Sequence, residues 1–244
     1  MNKSLYLKCA PGDLGSLALL TGDPARVDRL AALLEDAREV AQNREFYSVT
    51  GWRDGHQVSI VSSGIGAPSA AIALEEMRQL GVECVVRFGT TMGLEPSLGS
   101  IVLSSGAVRF EGTSAAYLPL EFPAVPDWQI LHLIYQACLS AQLQVHVGLT
   151  ATYDAFYPSM APALVGRGLP DIALLQSAQV LGLDMETSLL YILGRRLGMA
   201  VASACVVTNS ADPFSILATD IQHAAERDLA GAVFEALRRW KGRA

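Results

Sequence analysis

The stretch Val85-Val86-Arg87-Phe88-Gly89-Thr90-Thr91-Met92-Gly93 holds the residues best suited to chemistry. Cys84-Val85-Val86 reads as the end of a short buried strand, and Arg87 follows with no polar buffer. A long cation leaving an apolar strand is costly unless an anion meets it. Gly89 and Gly93 let the backbone come close to a ligand, and Thr90 and Thr91 add hydroxyl donors. Such a group at the carboxyl end of a strand can hold an oxyanion. Taken alone, the stretch fits equally well as a turn whose arginine pairs with a carboxylate.

Two other places carry chemistry of the same kind. Thr21-Gly22-Asp23-Pro24 breaks an apolar run, and Arg26 falls in the first turn of the helix that follows. Backbone N–H groups at such a turn can hold an anion, and Arg26 adds charge. Asp23 also suits the helix cap. Further on, Asp184 and Glu186 flank Met185 among hydrophobic neighbours at a helix entry. Capping accounts for Asp184 but not for Glu186 as well, and a fixed carboxylate is a natural partner for polyol hydroxyls. Thr152-Tyr153-Asp154-Ala155-Phe156-Tyr157-Pro158 closes a strand with aromatics, which serve as loop anchors or as a stacking surface for a flat ligand.

The elements that must position these residues alternate along the chain. Strands are expected at Leu17 to Leu20, Tyr47 to Trp52, Gln57 to Ser62, Gly99 to Leu103, Val145 to Ala151 and Val201 to Val207. Helices are expected at Ala25 to Leu34, Ala70 to Leu80, Trp128 to Ala141, Ser188 to Leu197 and Ile221 to Trp240. Arg53-Asp54-Gly55-His56 has the make-up of a hairpin turn, and Ser159 to Pro170 that of a mobile loop. With no repeat, linker or low-complexity segment, the pattern predicts one α/β domain over residues 1–244, with helices on a mostly parallel, mixed and twisted sheet.

Composition narrows the function. A chain of 244 residues can bury one large core. Apolar residues make up 51% of it, which points to buried interfaces between subunits. No apolar run approaches a membrane span of about 20 residues. The first ten residues lack the pattern of an export leader, so a cytoplasmic location is expected. The four cysteines, Cys9, Cys84, Cys138 and Cys205, are far apart and read as reduced, buried thiols without a zinc site. A net charge of −6 argues against a nucleic-acid partner but allows a small anionic substrate held by a local arginine cluster. The four histidines lie in unrelated contexts. No P-loop, dinucleotide fingerprint, HExxH or GxSxG elbow is present.

In order, the chain shows Gly22-Asp23-Pro24-Ala25-Arg26-Val27, Asn43-Arg44-Glu45-Phe46 and Ser63-Gly64-Ile65-Gly66-Ala67-Pro68-Ser69. Arg87-Phe88-Gly89-Thr90-Thr91, Asp154-Ala155-Phe156-Tyr157-Pro158 and Asp184-Met185-Glu186-Thr187 follow. Together these motifs resemble the nucleoside phosphorylase family of hexameric type, and within it most of all the uridine phosphorylases; Leu120 to Val125 adds to the likeness. The resemblance runs from about Leu17 to Asn209. It implies a three-layer α/β/α fold with a twisted mixed sheet and a hexamer built from dimers. It also implies phosphate-dependent cleavage of a nucleoside to free base and ribose 1-phosphate, with no cofactor beyond phosphate as co-substrate. By the same resemblance, Gly22, Arg26, Arg87 and Thr90 bind phosphate, and a neighbouring subunit lends Arg44 to it. Met185 and Glu186 hold the ribose. Phe156 lies beside the base, with Asn209 near it. Glu45, Ile65 and Ser69 match positions that hold a monovalent cation, K+, at a dimer interface in some uridine phosphorylases.

The departures fall at the base. The Gln and Arg that read uracil in uridine phosphorylases are absent from Ser159-Met160-Ala161-Pro162. Ser210 stands where an arginine is expected, Ser4 or Tyr6 where an N-terminal histidine is, and Asn209 where purine-type relatives place an Asp. The expected substrate is therefore a pyrimidine-like or modified nucleoside, with weak activity on uridine. Two alternatives remain: a nucleosidase in which water replaces phosphate, and a catalytically idle member that only binds. Three arginines with Thr90 weigh against the first, and intact Arg26, Arg87 and Glu186 against the second.

Overall fold

A computed structural model of the protein describes residues 3–155, 171–210 and 215–242. Among these residues ten strands form one mixed sheet, in the order β10-β9-β6-β7-β8-β5-β1-β4-β3-β2. β1 (Leu17–Thr21) leads through the Gly22 turn into α1 (Pro24–Ala31). β2 (Glu35–Asn43), β3 (Phe46–Arg53) and β4 (His56–Ser62) follow as an antiparallel meander. After α2 (Ala67–Gln79) come β5 (Cys84–Gly93) and β6 (Ile101–Arg109). α3 (Trp128–Ser140), β7 (Val145–Thr152), α4 (Ile172–Ser177) and β8 (Gly182–Asp184) come next. α5 (Thr187–Leu197), β9 (Ala200–Ser210), β10 (Ser215–Ile216) and α6 (Thr219–Arg239) complete the described order.

The side-chain alternation of β1 explains the layering. Leu17 and Leu19 pack into a core shared with Leu30 of α1, Ile134 of α3 and Val233 of α6. Ala18 and Leu20 turn to the other face, toward Leu74 of α2 and Leu190 of α5. A sheet apolar on both faces needs helices on both, which makes the expected three layers.

Three features depart from the sequence expectation. The strand expected to end at Val86 runs on to Gly93, so Arg87 and the Gly/Thr residues after it are strand residues. β9 keeps pairing with β5 along this whole length, from Cys84↔Ala200 to Gly93↔Ser210, and holds it extended. β9 also pairs with β6, β6 with β7, β7 with β8, and β8 with β5, so five strands close into a ring within the sheet. β2 carries no strand signal in the sequence because it is a polar edge strand with most residues exposed.

β1, β4, β5 and β9 run parallel, so their carboxyl ends lie on one side of the sheet. Open α/β sheets gather ligands there. Gly22 follows β1, Gly64 follows β4, and Arg87 pairs level with Leu20 near the end of β1.

Candidate active site

A cavity of about 860 Å³ opens at these strand ends. It falls in the range of small-molecule sites, roughly 300–1,000 Å³. Gly22, Arg26, Arg87, Gly89 and Thr90 line it, as do Glu45 and Ile65, Asp184, Met185 and Glu186, and Tyr153 and Asn209. Segments distant in sequence thus meet in one hollow, and among the site residues expected from sequence, Gly22, Arg26, Thr90, Arg87, Met185, Glu186, Asn209, Glu45 and Ile65 all border it.

Arg87 occupies the centre of a polar cluster. It points to the same sheet face as Val85, the face covered by α2 and α5. There Nη2 donates to Glu186 Oε2, and Nη1 donates to Cys205 Sγ at 2.8 Å. Nε lies 3.2 Å from Asp184 Oδ2, an ion pair by proximity without the alignment of a hydrogen bond. Burial works against the charged guanidinium, but Cys205, Asp184 and Glu186 more than reverse it, so the pKa is raised and the arginine stays a cation. Arg87 therefore pairs with carboxylates, though from within a strand rather than from a turn, and it also borders the cavity.

Gly89 makes this geometry possible. It sits two residues from Arg87 on the same strand face, and a Cβ there would stand 2.1 Å from Arg87 Nη1. The bare backbone is the floor on which the guanidinium lies. Gly89→Ala is expected to push Arg87 off its partners and cost about ten-fold or more in turnover while the protein still folds. Steady-state kinetics alongside a thermal melt would check this; wild-type kinetics would show that the side chain relocates at no cost.

The two carboxylates differ in their work. Asp184 accepts from Thr152 Oγ1 at 2.7 Å and from Thr187 N–H at 3.1 Å, and it also receives Thr187 Oγ1. It caps the start of α5 and holds Arg87 from below. Glu186 is the residue before α5 and makes no cap bond with its side chain. Its Oε1 instead accepts from Gly66 N–H, at 2.6 Å, at the start of α2. Gly66 has φ of +99°, a conformation that suits glycine. The start of α2 thus reaches across to the side chain of the residue that precedes α5.

Apolar residues line the cavity as well, among them Met92, Leu183, Met185 and Ala155. Asn209 borders the cavity with a buried Nδ2 that has no hydrogen-bond partner among the described residues. Tyr153, one of the aromatics at the end of β7, also lines the cavity, stacked on Phe110 with centroids 5.2 Å apart. Phe156 and the 159–162 segment lie outside the described residues.

Arg44 stays out of the cavity. It is exposed at the β2–β3 turn with φ of +56°, over the ring of Tyr6. Its neighbour Glu45 does line the cavity and accepts from Ser69 Oγ at 3.2 Å. Ser69 also reaches the Ser63 carbonyl, and Ile65 is exposed. Among the described residues no cluster of three or more His, Cys, Asp or Glu could hold a metal, and no helix is long and apolar enough to cross a membrane. The four cysteines are buried, as expected. The place of Cys205 beside Arg87 is beyond sequence reasoning, because the β5–β9 register that sets it opposite Gly89 leaves no mark in the sequence.

A family model described as the phosphorylase superfamily matches residues 16–238. A uridine phosphorylase from Thermococcus kodakarensis is 37% identical over 211 residues, spanning 83% of this chain and 76% of that relative. A guanosine phosphorylase from Halorubrum lacusprofundi is 38% identical over 209 residues, spanning 85% and 83%. The crystal structure of a uridine phosphorylase from Vibrio fischeri, complexed with 6-hydroxy-1-naphthoic acid, matches the fold with a TM-score of 0.89, at 28% identity over 98% of both chains.

Proposed function

The chain belongs to the phosphorylase superfamily, and from that premise we propose that it is a nucleoside phosphorylase, a pentosyltransferase that cleaves an N-glycosidic bond with inorganic phosphate. The observation that carries this reading is one cavity lined by Arg26, Arg87, Gly22 and Thr90, by Glu186, and by apolar residues. An anion, a polyol and a flat heterocycle need those three kinds of surface. Phosphate held by the arginines attacks the anomeric carbon. A C–O bond forms as the C–N bond breaks, and the bonding pair leaves with the base. The sugar gains positive character on the way, which the phosphate and Glu186 offset. No protein nucleophile is required; positioning and fixed charge supply the catalysis.

The leaving base in this reading is pyrimidine-like or modified, and uridine is a weak substrate. Asn209 offers an amide donor, unpaired among the described residues, to a carbonyl or ring nitrogen. Phosphate-dependent release of base from a panel of uridine, thymidine, inosine and adenosine tests the activity. Release that ignores phosphate would make the protein a nucleosidase, and no release from any nucleoside would leave a binding protein.

The lining holds two arginines against four carboxylates, Asp23, Glu45, Asp184 and Glu186. A phosphate dianion needs more positive charge than that. We place the missing cation on Arg44 of a neighbouring subunit, in an assembly of at least a dimer and by resemblance a hexamer, with a K+ ion at Glu45, Ile65 and Ser69 as a further contributor. The exposed Arg44, standing outside its own cavity, supports this. Mixing Arg44→Ala subunits with Arg87→Ala subunits should then restore activity, because each mixed pair contains one intact site. Two inactive variants that stay inactive after co-refolding would rule out the shared site.

A further inference from the structure

Arg26 is held from a distant part of the chain, and the holder does not touch the cavity. Its Nε donates to Glu226 Oε1 at 2.9 Å, and its Nη1 donates to Thr21 Oγ1 at 2.9 Å. A guanidinium carries five N–H groups in a fixed plane. Two bonds from different directions fix that plane. Nη2 makes no hydrogen bond among the described residues, and Arg26 lines the cavity. What remains for an oxyanion is therefore Nη2 with the second hydrogen of Nη1.

Glu226 lies on α6, is 3% exposed, and is absent from the cavity lining. Both of its oxygens are engaged. Oε1 also accepts from Gln222 Nε2 at 2.9 Å, and Oε2 pairs with Arg29 Nη2 at 3.2 Å. A carboxylate tied at both ends cannot swing to follow its arginine, so the arginine follows the carboxylate. Arg29, one turn along α1 from Arg26, is in turn paired with Asp23.

We propose that Glu226 is a positioning residue for phosphate, which aims Arg26 from α6 with Thr21 as the second point of the clamp. This rests on the phosphorylase reading given above. Charge alone makes the opposite forecast: a carboxylate beside the site repels phosphate, so its removal should tighten binding. Aim makes removal harmful.

The test is the KM for inorganic phosphate at saturating nucleoside. Glu226→Gln removes the charge at constant size, and Thr21→Val removes the second clamp point without touching any charge. Each is expected to raise the phosphate KM by about ten-fold, the loss of one hydrogen bond to a charged group, with the nucleoside KM changed less than two-fold. In an Arg26→Ala background the Glu226→Gln effect should vanish, because Glu226 acts through that side chain. A phosphate KM that falls in Glu226→Gln, or that stays within two-fold of wild type in Thr21→Val, overturns the proposal. Thr21→Val is near-isosteric and decides the matter by itself if the Glu226 variant fails to fold. Cleavage by the wild type that ignores phosphate refutes the phosphorylase reading itself, and this inference with it. Cleavage that needs phosphate while the variants behave as wild type refutes the positioning role alone.

Discussion

Arg87→Ala is expected to abolish phosphate-dependent cleavage, by about 10³-fold or more, and to destabilise the fold as well. The first effect follows from removing a buried cation fixed at the place where phosphate would sit. The second follows from what is left behind. Asp184 and Glu186 are both buried and both pair with this one guanidinium. Breaking a buried pair by deleting one partner costs about 3–5 kcal/mol, because the other charge stays uncompensated. Arg87→Lys separates the two effects. A lysine returns the charge but not the planar fork that reaches Glu186, Asp184 and Cys205 together. The melting temperature should recover in part while the turnover does not. Phosphate-dependent base release and thermal unfolding measure the pair of outcomes, and unchanged phosphate dependence in Arg87→Ala would remove this residue from the site.

Glu186→Gln is expected to lower kcat/KM for a ribonucleoside by about 10²- to 10³-fold, equivalent to roughly 3–4 kcal/mol of transition-state stabilisation. The amide keeps the shape of the side chain. It loses the charge that, in the proposed mechanism, offsets the sugar's positive character and binds hydroxyls strongly. The informative readout is the ratio of ribonucleoside to 2′-deoxyribonucleoside efficiency. If Glu186 holds ribose hydroxyls, that ratio should collapse toward one in the variant. A variant that loses activity but keeps the ratio would place Glu186 elsewhere in the mechanism, as a partner of Arg87 alone.

The sequence discloses the site residues better than it discloses their surroundings. Arg26, Arg87 and Glu186 are legible because a charged residue amid apolar or glycine-rich neighbours is costly without a purpose. β5 reads too short because Gly89 and Gly93 look like turn residues. In the fold Gly89 stays in the strand, and its missing side chain serves Arg87. Glu226 gives no signal because an acid on a long terminal helix reads as a solvated surface group; its burial depends on where α6 packs. Asp184 is half legible: its cap is local, whereas its ion pair with Arg87 is not. Local signals report local purpose, and these misses all involve contacts across the sheet or between layers.

The ring of strands has a consequence for the growing chain. β5 and β6 are made early, and β9, which joins both, is made late. A chain released residue by residue at about 5–20 per second spends seconds with β5 and β6 presenting unpaired edges. During that time Arg87 waits in an apolar strand without Asp184, Glu186 or Cys205. Strand pairings this distant in sequence also slow folding. The finished ring joins each of its five strands to two others, but the unfinished one leaves β5 and β6 without β9, beside a cation with no counterion. Synthesis and recovery from heat are thus the moments when these two strands and their cation stand without partners.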